Sequence, residues 1–256
     1  MTTTAPFMNQ ALGLAAQALF LSNPNTRVGC VLVTPDGRVI GHGFTQQAGG
    51  PHAEVMALRD AAAAGADVRG ATAYVTLEPC AHQGRTGPCC DALIAAGVAK
   101  VVASLEDPNP LVAGQGFARL RAAGVAVEVG PGAAESRELN IGFFSRMLRG
   151  TPWVRLKVAS SLDGTTALTN GASQWITSPD ARADGHAWRA RACAVLTGIG
   201  TVLADNPRLD VREVQTPRQP KAVVLDSRLQ TPADAHLFVA DRACLIYATG
   251  PLDPIF

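Results

Sequence analysis

ATAYVTLEPCAHQGRTGPCCDALIAAGVAKVVASL, Ala71 to Leu105, reads as a strand, a loop, a helix and a second strand. Ala71 to Leu77 is rich in β-branched, aromatic and apolar residues and is bounded by Gly70 and Pro79. Pro88 is suited to open a helix, which runs to Ala96 and is closed by Gly97. Lys100 to Leu105 returns as a strand. A helical crossover joins parallel strands, so helices must cover the faces of the resulting sheet. Working outward, Ala5 to Leu21 places apolar residues at helical spacing and stops at Ser22-Asn23-Pro24. Val28 to Val33, the turn Pro35-Asp36-Gly37 and Arg38 to His42 form a hairpin. Pro51 starts a helix that Gly65 ends. Gly114 to Ala123 is a helix, Val125 to Val129 a strand and Ala133 to Leu148 a helix. A helix, a hairpin and then alternating helices and strands predict a three-layer α/β/α domain with a partly parallel sheet.

The alternation ends near Arg149-Gly150-Thr151-Pro152, which divides the chain into residues 1–149 and 150–256. The second part predicts a strand from Trp153 to Ala159, a helix from Pro179 to Arg191, and strands at Ala192 to Thr197, Lys221 to Asp226 and Ala243 to Tyr247. So few elements make a thin core, and the expectation is an incomplete domain.

Hydrophobic residues make up 47% of the 256, enough for ordinary cores. The 22 basic and 21 acidic residues nearly cancel. No global field gathers nucleic acid or an anionic membrane, so a small-molecule partner is expected. Six cysteines in this length are no disulfide scaffold, and their clustering with histidine suits a reducing compartment. The apolar run Ala11 to Leu21 has no basic residue before it, no cleavage site after it, and is too short to span a bilayer. The expected location is the cytoplasm.

Within the opening stretch, eight residues separate Cys80 from Cys89, where zinc sites usually leave two to four. Upstream stands Pro51-His52-Ala53-Glu54. His52 and Cys89 each fall at a helix start, where a thiolate is stabilised, and Cys80 falls at a strand end. One histidine and two thiolates leave a fourth position open, the arrangement of catalytic rather than structural zinc. Glu54 is then placed as a carboxylate that moves protons without binding the metal. H-x-E followed by P-C-x-x-C is the signature of zinc nucleobase deaminases, and this sequence has H-A-E and then P-C with a late second cysteine. Adjacent helical residues point about 100° apart, so Cys89 is taken as the ligand and Cys90 as packing. The bland alternative makes His52 a helix cap and the cysteines core filler. A further alternative is a structural zinc module that recruits Cys90 as a fourth ligand.

Longer motifs carry a more specific resemblance. Asn25 with Val28-Gly29-Cys30, the run Ala48 to Glu54, the run Thr76 to Thr86 and Asp107-Pro108-Asn109-Pro110 resemble the bifunctional riboflavin-biosynthesis deaminase/reductase family. So do Leu156 to Gly164, Ser173 to Thr177 and Thr201 to Pro207 in the second half. In that family the long cysteine spacing is normal. The resemblance implies a cytidine-deaminase-like domain followed by a partial dihydrofolate-reductase-like α/β domain. It implies a zinc-dependent hydrolytic deamination of 2,5-diamino-6-(5-phosphoribosylamino)pyrimidin-4-one, with His52, Cys80 and Cys89 on the metal and Glu54 catalytic. Asn25, His82 and Arg85 are the expected contacts to that phosphorylated pyrimidine. The second domain would reduce the ribose with NADPH. Ala159, Trp175, Thr201, Asp205 and Ser227 would touch the cofactor, and Ser173, Arg189, Leu209 and Arg212 the substrate. A homo-oligomer is also implied.

This sequence departs from the family at Thr45, where histidine is usual, and at Thr26 and Gly87, where proline is usual. The family's reductase half continues past Phe256 through a glycine-rich segment that cradles the cofactor phosphates; the expectation is therefore impaired NADPH binding. Another zinc nucleoside or nucleotide deaminase, or an inactive paralogue, are the alternatives.

Overall fold

The computed structural model describes residues 4–83 and 87–250, which form two compact units, Met1–Val154 and Arg155–Phe256. In the first, α1 (Thr4–Gln17) precedes a hairpin of β1 (Gly29–Val33) and β2 (Val39–Phe44). There follow α2 (Ala53–Ala63), β3 (Thr72–Val75), α3 (Cys89–Ala95), β4 (Lys100–Ala103), α4 (Gln115–Ala122), β5 (Ala126–Val129), α5 (Ala133–Leu139) and α6 (Ile141–Arg149). The sheet order is β2-β1-β3-β4-β5. β1 runs antiparallel to both neighbours, and β3, β4 and β5 are parallel. The crossover read from the opening stretch is thus present.

Alternation along the strands separates the two layers of core. Cys30, Leu32, Ala73, Val75, Val101 and Ala103 join the cluster covered by α2, α3 and α4. Val31, Val33, Tyr74 and Val102 face the other way, onto Met8, Ala11 and Leu12 of α1. Successive strand residues point to opposite faces, so both faces must be apolar when both are covered.

The α2 helix, whose first turn carries the site, lies almost against the backbone of β2. A Cβ on Gly43 would stand 2.6 Å from Ala57 N and 2.8 Å from Ala53 O. Gly43→Ala should therefore push α2 away and destabilise the unit by about 3 kcal/mol, the upper range for overpacking. Gly13→Ala, which meets nothing within 4 Å, should be neutral or slightly stabilising. Thermal unfolding of the two variants checks this.

The helix expected from Ala133 to Leu148 is two helices, broken at Asn140. The buried Asn140 amide accepts from Arg27 N at 2.7 Å and donates to Arg27 O at 3.0 Å. This fastens the loop that carries Asn25, and it is a tertiary bond that periodicity does not reveal.

In the second unit, α7 (Pro179–Arg191) starts at Ser178, whose Oγ accepts from Ala181 N at 3.2 Å. β6 (Ala194–Gly198), α8 (Ile199–Asp205), β7 (Lys221–Leu225) and β8 (Cys244–Tyr247) follow. The strands form a parallel sheet in the order β6-β7-β8. Val202, Val224, Ala235 and Leu237 are the buried residues of its core. One expectation is corrected, and periodicity does not reveal the short α8. Trp153 to Ala159 is not a strand: it joins no ladder among the described residues, and Leu156 is 88% exposed. Alternation supplies a pattern, but a strand also needs a neighbour's backbone groups to bond. Among the described residues no helix is long and apolar enough to cross a membrane.

Candidate metal centre and active site

Three elements converge at one end of the five-stranded sheet. His52 is the N-cap of α2, in extended conformation after Pro51. Cys80 lies beyond the end of β3, and Cys89 is the first residue of α3, after Pro88. His52 Nδ1 stands 3.6 Å from Cys80 Sγ and 3.3 Å from Cys89 Sγ. The three ligand atoms lie within 4.8 Å of one another. Cys89 N donates to Cys80 Sγ at 3.4 Å and Cys90 N to Cys80 O at 3.2 Å, so the start of α3 is tied to Cys80 twice. The neighbouring Cys90 thiol is part of the hydrophobic core, and burial pushes its pKa up to about 11.

The centre's charges are unevenly held. The Cys89 thiol donating to Cys80, with help from His52, pulls the Cys80 pKa down to about 4. Cys89 is pushed far up by the same bond and by burial. The bond between the two sulfurs thus favours a thiolate on Cys80 over one on Cys89. Hydrogen bonding to Cys80 raises the His52 pKa. Glu54, in the first turn of α2, is only 3% exposed. Burial, reinforced by the Cys80 thiolate, raises its pKa to about 7.

That shift has a stability consequence with a definite sign. Folded Glu54 holds a proton that the unfolded chain gives up near pH 4.5, so its contribution to stability falls as pH rises from about 4.5 to 7. Cys80, shifted the opposite way, gains stability with pH over an overlapping range. A comparison of variants separates the two. In chelator-treated protein, Glu54→Gln should gain about 2–3 kcal/mol relative to wild type between pH 5 and pH 8, at 1.36 kcal/mol per pKa unit. Urea unfolding at the two pH values measures it, and an unchanged gap would rule out a buried, elevated Glu54.

Other residues around the centre differ in placement. Asn25 sits in the loop that Asn140 fastens, and its N–H bonds Ser22 O at 2.8 Å. His82 is exposed just beyond Cys80, and Arg85 lies outside the described residues. Thr45 is buried, and its hydroxyl both accepts from Val28 N and donates to Val28 O, at 3.2 and 3.4 Å. It acts as a backbone bridge. Two carboxyls near Cys80 were not singled out from the sequence. Burial, with the Glu78 and Cys80 charges, raises Asp107 to about 6. Glu78 itself is buried and accepts from Asp107 N at 3.0 Å. Only the motifs Glu78-Pro79-Cys80 and Asp107-Pro108-Asn109 hinted at them.

In the second unit the structure gathers Arg189, Leu209 and Arg212. Arg189 Nη1 lies 3.3 Å from His186 Nε2 and donates to Asp210 O at 3.4 Å. Arg212 N donates to His186 Nδ1 at 3.1 Å, and both Arg212 and Arg208 pair with the Asp210 carboxylate. Because Nδ1 accepts, His186 is neutral; burial and the flanking guanidiniums lower its pKa. Thr201 and Asp205 stand one turn apart on α8, just past the end of β6, and Ser227 lies just past the end of β7. They sit beyond the carboxyl ends of parallel strands, where open α/β sheets bind ligands. Ser173 is exposed, Ala159 half-buried, and Trp175 is 71% exposed with Arg182 stacked 4.3 Å from its ring centre.

Comparison with known proteins gives both units relatives. Residues 1–105 match the cytidine and deoxycytidylate deaminase zinc-binding region, and residues 152–254 match the RibD C-terminal domain. The riboflavin biosynthesis protein RibD of Escherichia coli K12 is 54% identical over 226 residues, covering 88% of this chain and 60% of that protein. That of Haemophilus influenzae is 46% identical over 259 residues, covering 96% and 68%. The solved Acinetobacter baumannii RibD superposes with a TM-score of 0.89 at 47% identity, over 97% of this chain and 70% of its own. The Thermotoga maritima diaminohydroxyphosphoribosylaminopyrimidine deaminase/5-amino-6-(5-phosphoribosylamino)uracil reductase superposes with a TM-score of 0.90 at 40% identity, over the same shares.

Proposed function

The chain belongs to the RibD family of riboflavin-biosynthesis proteins, and on that premise we propose that its first unit is a zinc-dependent deaminase acting on 2,5-diamino-6-(5-phosphoribosylamino)pyrimidin-4-one. The observation that carries this reading is the convergence of His52, Cys80 and Cys89 beside a buried carboxyl. Their spacing suits zinc. Bonds of about 2.0–2.1 Å to nitrogen and 2.3 Å to sulfur place tetrahedral N and S donors about 3.6 Å apart. The two distances here are 3.6 and 3.3 Å. One imidazole and two sulfurs leave the fourth direction to solvent and substrate.

Zinc held there supplies the Lewis acidity that makes water a nucleophile near neutral pH. Glu54 takes a proton from the attacking water and gives it to the departing amino nitrogen. Water adds, the carbon–nitrogen bond breaks, ammonia leaves and a carbonyl remains. Burial raises the metal-free carboxyl to about 7, and the charge of bound zinc would bring it down towards the carboxylate that accepts the proton of water. Asn25, His82 and Arg85 hold the pyrimidine and its ribosyl phosphate.

The second unit is assigned to the reductase half, with NADPH supplying hydride to the ribose. Arg189 and Arg212 suit a phosphate, because guanidinium forks match its oxygens and Arg208 adds positive charge around the Asp210 carboxylate. Ser173 and Leu209 border that substrate site. Ala159, Trp175, Thr201, Asp205 and Ser227 form the cofactor side. Cysteines outside any disulfide suit a reducing compartment, which supports the cytoplasm as the location of this protein. The deciding experiment is ammonia release from the diaminopyrimidine ribosyl phosphate, with zinc content measured on the same sample. Stoichiometric zinc without ammonia would leave the metal centre standing and remove the substrate assignment.

A further inference from the structure

We infer that Glu78 is a positioning residue for the metal ligand Cys80, acting through a carboxylate clamp on the Asp107–Phe117 backbone. The inference rests on the zinc reading above and concerns how one ligand is held.

His52 and Cys89 are each fixed at a helix start. Cys80 has no such support. The β3 strand ends at Val75, and Thr76 N makes one further bond, to Gly29 O at 3.1 Å. Cys80 follows four residues later, on a segment held by other means. On the strand side of Cys80, the side-chain anchor is Glu78, which is 4% exposed. One carboxylate oxygen accepts from Asp107 N and Gly114 N, both at 3.0 Å. The other accepts from Gly116 N at 2.8 Å and Phe117 N at 3.2 Å.

Two of these donors lie in the first turn of α4, whose own N-cap is Gly114 and offers no side-chain cap. Glu78 therefore caps α4 from another part of the chain. A buried carboxylate is costly unless hydrogen-bonded, and the helix start supplies both N–H groups and a favourable dipole. Contact at the next residue is equally close. A Cβ on Gly116 would stand 1.9 Å from Pro79 O. Glu78 and Pro79 are thus seated on the start of α4, while Cys80 bonds the start of α3 through its carbonyl and sulfur. The proline between them has a fixed φ, so movement at residue 78 is passed to the sulfur of residue 80.

Glu78→Gln places an NH₂ group against two of the four donors. Glu78→Asp keeps the charge but withdraws it by one methylene. Zinc affinity, measured by competition with a chromophoric chelator, should fall roughly 10–100-fold in Glu78→Gln, the range for lost outer-shell support, and less in Glu78→Asp. Cobalt(II) substituted into the same proteins should show weakened thiolate charge-transfer absorption in the same order. Val101→Ala, a cavity in β4 away from the clamp, serves as a control for lost stability and should keep wild-type zinc affinity and cobalt spectrum. Wild-type affinity and spectrum in folded Glu78→Gln overturn the inference but leave the zinc site intact. An equal loss in Val101→Ala also overturns it, by reducing the effect to general instability. If Glu78→Gln does not fold, Glu78→Asp decides by the same readings. Failure of the wild type to bind zinc through His52 overturns the function reading and this inference together.

Discussion

Glu54→Gln should release ammonia from the diaminopyrimidine ribosyl phosphate roughly 10²–10⁴-fold more slowly than wild type while keeping its zinc, the usual range for a lost general acid–base group. The upper part of that range is expected, because Glu54 serves in both directions: it removes a proton from water and delivers one to the leaving nitrogen. Glutamine has nearly the same shape and fits the same buried position in the first turn of α2, so neither fold nor metal ligands should suffer. It cannot carry a proton between the two sites. The variant should also lose the dependence of rate on the Glu54 ionisation. That ionisation is near pH 7 in metal-free protein because burial opposes the charge. A nearby cation favours the carboxylate, so the active form should titrate lower. A variant that holds zinc and retains wild-type turnover would take the proton-transfer role away from Glu54.

Cys89→Ser should lose zinc on dialysis against a chelator and, with it, all measurable ammonia release. Without metal, the bond between the sulfurs lowers the Cys80 pKa and raises that of Cys89. Binding zinc requires both sulfurs ionised, so wild type should release a proton on zinc binding and bind more tightly as pH rises. Serine at 89 removes that route, since its hydroxyl does not ionise in this range and oxygen is a poorer partner than thiolate. The adjacent Cys90 will not substitute. It is buried in the core on a different face of α3, and its pKa is raised by that burial. Cys90→Ser should accordingly retain zinc and lose only stability. Metal analysis with proton-release calorimetry tests the pair, and zinc retained by Cys89→Ser would reassign the ligand.

The fold of the first unit was legible because its signals are local. Turn residues, helix starts and the switch between periods of two and 3.6 are set by neighbours in the chain, and both faces of its sheet are covered as the alternation required. The grouping of His52, Cys80 and Cys89 was legible for a related reason: Pro51-His52 and Pro88-Cys89 open helices, and Pro79-Cys80 follows a strand. The second unit is less legible in the sequence. Trp153 to Ala159 carries a strand's alternation without a partner to bond, and α8 is short enough to escape its pattern.

The sequence by itself determined the order of elements in the first unit, the crossover of the opening stretch and the grouping of one histidine, two cysteines and a carboxylate as a candidate site. Tertiary structure alone decided what holds them. Asn140 fastens the backbone at Arg27, 113 positions away in the chain, and Glu78 clamps donors 29 to 39 positions away. It also decided that burial raises Glu54 and that the bond between Cys80 and Cys89 lowers one thiol and raises the other. Hydrogen bonds across such separations and the desolvation of a carboxyl depend on which distant atoms surround a group, and a linear pattern carries no record of that surrounding until the chain has closed on itself.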